Sequence, residues 1–353
     1  LTGLCWGEEN PSPIIEQIAS PGTKIITLTI TEGGYVINPD QSRSVFWYVA
    51  QGLRKRMSAG LPITILSCDN LQHNGEVTAK AFLSYFDACC SDLAAWAREN
   101  VSFPNSMVDR ITPATKPGET TDVYCENYIQ WVVEDNFIAG RPAWERVGVQ
   151  FTTDVSPYEN MKLSLLNASH SLLCYPAYLE GFKKVDSVLA DSRYFKLIRD
   201  FMDEDVTPFV PVPEGIDLGE YKDKLLSRFS NPAISDQVSR LCGDGISKFV
   251  VYIVPTLAKI ITAGKDTKRL AFLLASYYKY LKYGKTESGE LIDIFEPHIT
   301  DNDKIILEDD SDLEFFNLSP FATLELSKYP LFVVQYVYFV KHSVAEGLET
   351  LES

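Results

Sequence analysis

Histidine is scarce in this chain. Its 353 residues include only His73, His170, His298 and His342, and none lies near a second histidine or a carboxylate at metal-ligand spacing, so no metal site is expected. Positive charge is also short: 32 Lys and Arg against 48 Asp and Glu give a net charge of −16. Nucleic acid and anionic membranes demand a basic surface, so neither is expected as the main partner. The longest apolar runs, "FVVYIVP" and "YPLFVVQYVYFV", are too short to span a bilayer and contain Pro or Gln. No signal-peptide pattern opens the chain. The seven cysteines are an odd number without paired metal spacing, and adjacent Cys89 and Cys90 suit neither a zinc knuckle nor a routine disulfide. Reduced thiols in a cytoplasmic protein are the expectation.

What remains is an ordinary globular composition, 45% hydrophobic and 23% charged, long enough for one large domain or two smaller ones. Residues 1–151 read as α/β. The short β-branched runs "KIITLTI" (24–30) and "PITILSCDN" (62–70) suit buried parallel strands. Between them a helical pattern stops at Gly60, and a second helix over 79–100 leads to "VSFPNSMVDRI". Strand, helix, strand, helix, strand is the pattern of a doubly wound sheet, whose ligands sit beyond the carboxyl ends of the strands. That rule puts Thr31–Glu32, Cys68–Asp69–Asn70 and Ser106–Asp109 on one rim. From 152 to 353 helical patterns dominate, at 157–175, 187–202, 219–229, 234–241, 255–263, 267–283 and 320–348, with "DNDKIILEDDSDLEFF" as a solvated acidic connector.

The stretch "PYENMKLSLLNASHSLLCY" (157–175) is the informative one. It is apolar almost throughout, yet holds Lys162, Asn167 and His170. Ser156 is placed to cap it, Pro157 suits the first helical position, and Glu159 stands where a capping box puts its Glu. At 100° per residue, Glu159, Lys162, Asn167 and His170 share a sector of about 140°. A helix face meeting solvent would hold several charges; this one sets single polar groups among small and apolar residues. The set suits oxidation of a secondary alcohol. A lysine, ordinarily near pKa ~10.4, becomes a useful base when burial or a neighbouring cation lowers it. An amide NH₂ and an imidazole N–H are neutral donors for a developing alkoxide.

The spacing K-x4-N-x2-H in "KLSLLNASHS" resembles the signature of the polyol-specific long-chain dehydrogenases, typified by mannitol 2-dehydrogenase. The resemblance continues through "TITEGGY" (29–35), "SCDNLQHNG" (67–75), "FPNSMVDRITP" (103–113), "QWVVED" (130–135), "GRPAWERVGVQF" (140–151) and "RFSNPAISDQVSRLCGDGISKF" (228–249), covering nearly the whole chain in order. It implies a Rossmann-type nucleotide-binding domain over 1–151, partial here, and a mostly α-helical substrate domain over 152–353. It implies Lys162 as general base and Asn167 and His170 as oxyanion donors, with Glu159 on a proton exit route. It places Asn70 beside both nicotinamide and reacting hydroxyl, Thr31, Val108 and Asp109 on the cofactor side, and Arg240 and Lys248 on the polyol hydroxyls. A plain structural reading stays open for some of these: Asn70 as a turn former after a strand, Arg240 as a surface helix cation, Glu159 as a cap.

The family's Gly-rich turn, G-x-G-x-x-G, does not occur in this chain. Roughly the first mononucleotide-binding half is therefore expected to be missing, and the regions after Asn38 and over 110–125 look short for the family. The expectation is a metal-independent enzyme, using NAD in preference to NADP, that interconverts D-mannitol and D-fructose, with arabinitol as a further substrate. Its partner is a small-molecule polyol or ketose, and it is a cytoplasmic monomer or small homo-oligomer. A mannitol 1-phosphate 5-dehydrogenase or hexuronate reductase on the same scaffold is the alternative enzyme. The alternative of another class is a non-catalytic, truncated sugar- or partner-binding protein.

Overall fold

The two β-branched runs pair as neighbouring parallel strands, β1 (Ile25–Leu28) and β2 (Ile63–Ser67), in register from Ile25 opposite Thr64 to Leu28 opposite Ser67. The computed structural model describes residues 3, 5–37, 43–113 and 123–352. Much of the expected short regions, after Asn38 and within 110–125, lies outside the described residues. Helix α1 (Ser12–Ala19) precedes β1, and α2 (Val45–Ala59) links β1 to β2. Ser44 caps α2 by accepting from Trp47 N–H, and Gly60 ends it in the left-handed region, at φ 66°, that glycine adopts without a Cβ clash. One face of α2 buries Phe46, Val49 and Leu53 against Ile63, Ile65, Phe82 and Phe86. Arg56 is also buried: its guanidinium donates to the carbonyls of Ile18, Ser20, Leu61 and Pro62. Such full use of its donors is what makes a buried arginine tolerable.

Two sequence expectations change here. The helix expected over 79–100 starts earlier and breaks in two, α3 (Asn74–Cys89) and α4 (Ser91–Asn100), because Cys90 at φ −163° leaves the helical region. The third strand also divides. Only β3 (Val101–Ser102) joins the parallel sheet. After Pro104 the chain forms β4 (Ser106–Asp109), which pairs antiparallel with β5 (Gln130–Glu134); β5 in turn runs parallel to β6 (Gln150–Thr152). Among the described residues the strands pair in two groups of three, β1-β2-β3 and β4-β5-β6.

The chain separates into two compact units, Leu1–Asp109 with Ile129–Glu159, and Arg110–Tyr128 with Asn160–Ser353. The sequence reading placed the change at 151/152. Residues 152–159 stay with the first unit, where Glu159 accepts from His73 N–H at 2.9 Å. The stretch 110–128 joins the second because Glu126 is clamped there. Its carboxylate takes Arg228 Nε at 2.9 Å, Arg228 NH2 at 2.7 Å and the Ile111 amide at 2.6 Å.

The second unit is helical. From Asn160 it contains most of one continuous helix made of α5 (Ser156–Met161), a π-helical segment (Lys162–Asn167) and α6 (Ala168–Leu179). There follow α7 (Val185–Leu189), α8 (Ser192–Asp200), α9 (Leu218–Phe229), α10 (Val238–Cys242), α11 (Gly245–Tyr252), α12 (Val254–Thr262) and α13 (Lys268–Tyr283). The last three are α14 (Asp301–Glu308), α15 (Pro330–Lys341) and α16 (Val344–Glu352). One core runs through the unit, with Leu165, Leu172, Phe201, Phe249 and Tyr277 fully buried. The expected acidic connector is instead α14 with a capping box at Thr300, followed by buried Phe315 and Phe316. Asp303 in it is buried because Thr300 and Ser319 each donate an amide and a hydroxyl to its carboxylate. The expected long helix over 320–348 is broken, since Pro330 opens α15 and the chain is extended at His342. Among the described residues no single helix is long and apolar enough to cross a membrane.

Candidate active site

Lys162, Asn167 and His170 lie on one helix whose other residues from Met161 to Leu179 are all buried. Lys162 is 6% exposed, while Asn167 and His170 each keep an open edge. The helix is not regular here. Lys162–Asn167 bond in the i→i+5 manner, and single π turns are frequent at functional sites. The geometry gives a reason. In an α-helix, residues five apart stand about 140° apart around the axis; a wider turn holds one more residue and brings Lys162 and Asn167 nearer the same line. Asn167 Oδ1 is buried and accepts no hydrogen bond, an unspent polar group of the kind a ligand satisfies.

His170 lines a shallow cavity with Ile111, Arg228, Phe229, Asn231 and Asp236. Its ring lies 4.4 Å from that of Phe229, tilted by 34°. Apart from the open edge the imidazole is packed in. Burial pushes its pKa down to about 3, with Asp236 opposing the shift and Arg240, Arg228 and Lys248 adding to it. The ring is therefore neutral near pH 7 and offers a single N–H. The consequence for stability has a definite sign. The folded pKa lies below the ordinary 6.5, so His170 contributes stability in full above about pH 6.5 and loses it as pH falls toward 3. Replacing it by the non-titrating His170→Gln should shrink the stability difference between pH 7 and pH 4 by on the order of 2 kcal/mol. Urea unfolding at the two pH values measures this, and an unchanged difference would show that the imidazole is not held neutral.

The cations around this cavity are engaged. Asp236, 5% exposed, accepts from Arg240 Nε at 2.8 Å and also from Arg240 NH2, while Arg240 itself is about 40% open. Arg228 is forked by Glu126, and Lys248 donates to the carbonyls of Leu241 and Gly243. Lys248 rides on α11, whose first turn is fixed from behind. Glu296 accepts from the amides of Gly245 (2.9 Å) and Ile246 (3.1 Å), and Tyr277 OH donates to it at 3.0 Å. A Cβ at Gly245 would come within 2.7 Å of Tyr175 OH, Glu296 Oε1 and Tyr277 OH, so only glycine fits there.

In the first unit, Thr31 follows β1, Asn70 follows β2, and Val108 and Asp109 end β4. Asp69, which the strand-end rule placed on the same rim, fixes the turn at Thr31. Asp69 accepts from the amides of Ile30 (2.9 Å) and Thr31 (3.0 Å) and from Tyr35 OH (2.7 Å). These bonds hold Thr31 at φ 64°, ψ 167°, a region that β-branched residues scarcely visit and one that marks functional turns. Buried Asn74 ties β2 to β4. Its NH₂ donates to the carbonyls of Ser67, Asp69 and Ser106, and its Oδ1 accepts from Ser106 N–H at 2.8 Å. Asp109 is 1% exposed.

Glu159 does not serve as the expected cap. Asp154 accepts from Ser156 N–H, and the Glu159 carboxylate reaches His73 instead. It is 2% exposed, its Oε1 has no partner, and burial pushes it up to about 7 against the pull of the His73 amide and imidazole. No group of three or more His, Cys, Asp and Glu side chains able to hold a metal occurs among the described residues, and all seven cysteines are free.

Comparison with known proteins shows the family. Residues 4–146 match the model of a mannitol dehydrogenase Rossmann domain, and residues 154–341 that of a mannitol dehydrogenase C-terminal domain. The chain is 38% identical over 320 residues to a polyol:NADP oxidoreductase of Gluconobacter oxydans, covering 82% of this chain and 66% of that protein. It is 36% identical over 361 residues to a mannitol 2-dehydrogenase of Phaeosphaeria nodorum, covering 92% and 62%. The chain thus spans slightly less than two thirds of the length of these curated relatives. Its fold superposes on the Pseudomonas fluorescens mannitol 2-dehydrogenase, solved as a ternary complex with NAD and D-mannitol, with a TM-score of 0.92 and 37% identity over 100% of this chain and 79% of that one.

Proposed function

The chain belongs to the mannitol dehydrogenase family, and from that membership we propose that the protein is an NAD-dependent polyol dehydrogenase interconverting D-mannitol and D-fructose. The observation that carries the reading is the helix Ser156–Leu179, where a buried lysine, an amide with an unspent oxygen and a neutral imidazole surround a π turn. Lys162 Nζ takes the proton of the reacting hydroxyl. Asn167 and His170 donate to the oxygen as it becomes an alkoxide, which favours the transition state over the bound alcohol. Glu159, at the inner end of the same helix with a pKa near 7, passes the proton onward. Arg240 and Lys248 hold hydroxyls away from the reacting carbon, and Asn70 orients the reacting one.

Thr31, Asn70, Val108 and Asp109 are the residues proposed to hold the nicotinamide end of NAD. The Asn70 side-chain amide and the exposed Thr31 offer donors and acceptors of the kind a carboxamide needs. When bound, NAD supplies the hydride acceptor. The Pseudomonas fluorescens relative, matched along this whole chain, was solved with NAD, which favours it over NADP.

A mannitol 1-phosphate dehydrogenase or hexuronate reductase would need a cation for the substrate's anion. Arg240 and Arg228 are already forked by Asp236 and Glu126, which favours an uncharged polyol. Initial rates of NADH formation from D-mannitol, D-arabinitol and D-mannitol 1-phosphate test the proposal. D-Mannitol should be oxidised with the highest kcat/KM. Folded protein that forms no NADH from any polyol would end the dehydrogenase reading.

A further inference from the structure

We infer that Asp236 restricts this site to uncharged polyols: it neutralises Arg240 and sets a buried negative charge against any substrate bearing a carboxylate or phosphate. The inference rests on the reading above that His170 meets the reacting oxygen and Arg240 holds polyol hydroxyls. Asp236 lines the cavity beside His170 and is 5% exposed. Its two oxygens take the Arg240 guanidinium side-on, and one also accepts from the Gln237 amide at 2.8 Å. The bidentate fork leaves Arg240 little free donor geometry for a second anion.

The backbone keeps the carboxylate in place. Val185 N–H donates to the Asp236 carbonyl at 3.0 Å and Val238 N–H to that of Lys183 at 3.1 Å, with Lys184 and Gln237 opposite each other in an antiparallel bridge. These bonds fix the main chain at Asp236, and Arg240 with the Gln237 amide holds its carboxylate.

The local charge is nearly balanced. Arg228, Arg240 and Lys248 are three cations, and Glu126 and Asp236 are two carboxylates held against the first two. An entering phosphate or carboxylate meets Asp236 at close range and finds Arg240 taken. A neutral polyol meets no such penalty, because it carries no charge for Asp236 to repel and its hydroxyls donate to the carboxylate. Over several ångströms, at an effective dielectric of ~20, one charge changes affinity by about 10- to 100-fold.

Asp236→Asn keeps the shape, removes the charge and frees Arg240. NADH-dependent reduction of D-fructose, D-fructose 6-phosphate and D-fructuronate by wild type and variant is the test. The ratio of kcat/KM for either anion to that for D-fructose should rise about tenfold or more, mostly through KM, and the gain should shrink with added salt. Adding Arg240→Gln should abolish it. Asp236→Glu, which keeps the charge, should keep the rejection. A ratio unchanged in an Asp236→Asn protein that still reduces D-fructose, or an equal gain in Asp236→Glu, would overturn the inference. If Asp236→Asn does not fold, Arg240→Gln alone decides: with Asp236 unneutralised the anion ratio should fall, and a ratio that holds or rises rejects the role. Wild type that reduces no D-fructose would refute the polyol reading itself; wild type that does, with an unmoved ratio, refutes only the role of Asp236.

Discussion

Replacing Lys162 by alanine should remove most D-mannitol oxidation near neutral pH, by several orders of magnitude in kcat. Loss of general base catalysis accounts for roughly 10²–10⁴ of the decrease, and loss of an oriented partner for the hydroxyl adds to it. The site is organised around this residue: it is 6% exposed, on a helix buried to Leu179 except at Asn167 and His170, at the first position of the π turn. Its removal also leaves a gap in the packing, so Lys162→Met, which fills the volume without a base, is the companion variant. Both should lose turnover while binding NADH as wild type does, because the proposed cofactor residues Thr31, Asn70, Val108 and Asp109 lie on other elements. An added primary amine should restore part of the alanine variant's rate and none of the methionine variant's, since only alanine leaves room. Steady-state kinetics with NADH titration checks all three points. A Lys162→Ala protein with half the wild-type kcat would mean that the proton leaves by another route.

That residue was legible because a lysine inside an apolar helical run conflicts with its surroundings, and such conflicts mark functional sites. The same logic found Asn167 and His170. Helix ends were legible where local chemistry fixes them, as at Gly60 after α2. The π turn was not, because i→i+5 bonding of "KLSLLN" depends on what packs around it rather than on its composition. Glu159 shows how a correct local rule loses to a distant partner: its place fits a capping box, yet Asp154 meets the first amide and Glu159 spends its carboxylate on His73, 86 positions away. Glu126 and Arg228 are 102 positions apart, and nothing local couples them. The strand-end rule put Asp69 on the rim, but its bonds to Ile30, Thr31 and Tyr35, and those of Asn74 to Ser67 and Ser106, depend on partners that no local pattern reveals. Asp236 left a trace, four residues before Arg240, but α10 begins only at Val238, so the pair is made by the turn leading into the helix.

Truncating Asn167 to alanine should lower kcat for polyol oxidation by roughly 10²–10³, the usual cost of losing one oxyanion donor, with little change in cofactor affinity. Its place argues for chemistry over binding. Asn167 closes the π turn that Lys162 opens, keeps an open edge, and has a buried Oδ1 that no protein donor meets. With its oxygen buried and its other edge open, the amide presents its NH₂ to the developing charge, and that bond strengthens as alcohol becomes alkoxide. Interactions made mainly in the transition state appear in kcat, whereas uniform contacts appear in KM. Asn167→Asp should fare worse than alanine, because a carboxylate near an alkoxide repels what the amide stabilises. His170, held neutral by burial, serves the same oxygen. The double change Asn167→Ala with His170→Ala should therefore cost less than the sum of the single effects. Arg240→Ala gives the contrast: its guanidinium is tied to Asp236 and proposed to touch hydroxyls remote from the reacting carbon, so its loss should fall chiefly on KM for the polyol. Steady-state parameters for the four variants decide the assignment. If Asn167→Ala altered only KM while Arg240→Ala abolished turnover, the donor to the alkoxide would be the arginine, and the amide would be one of the hydroxyl contacts.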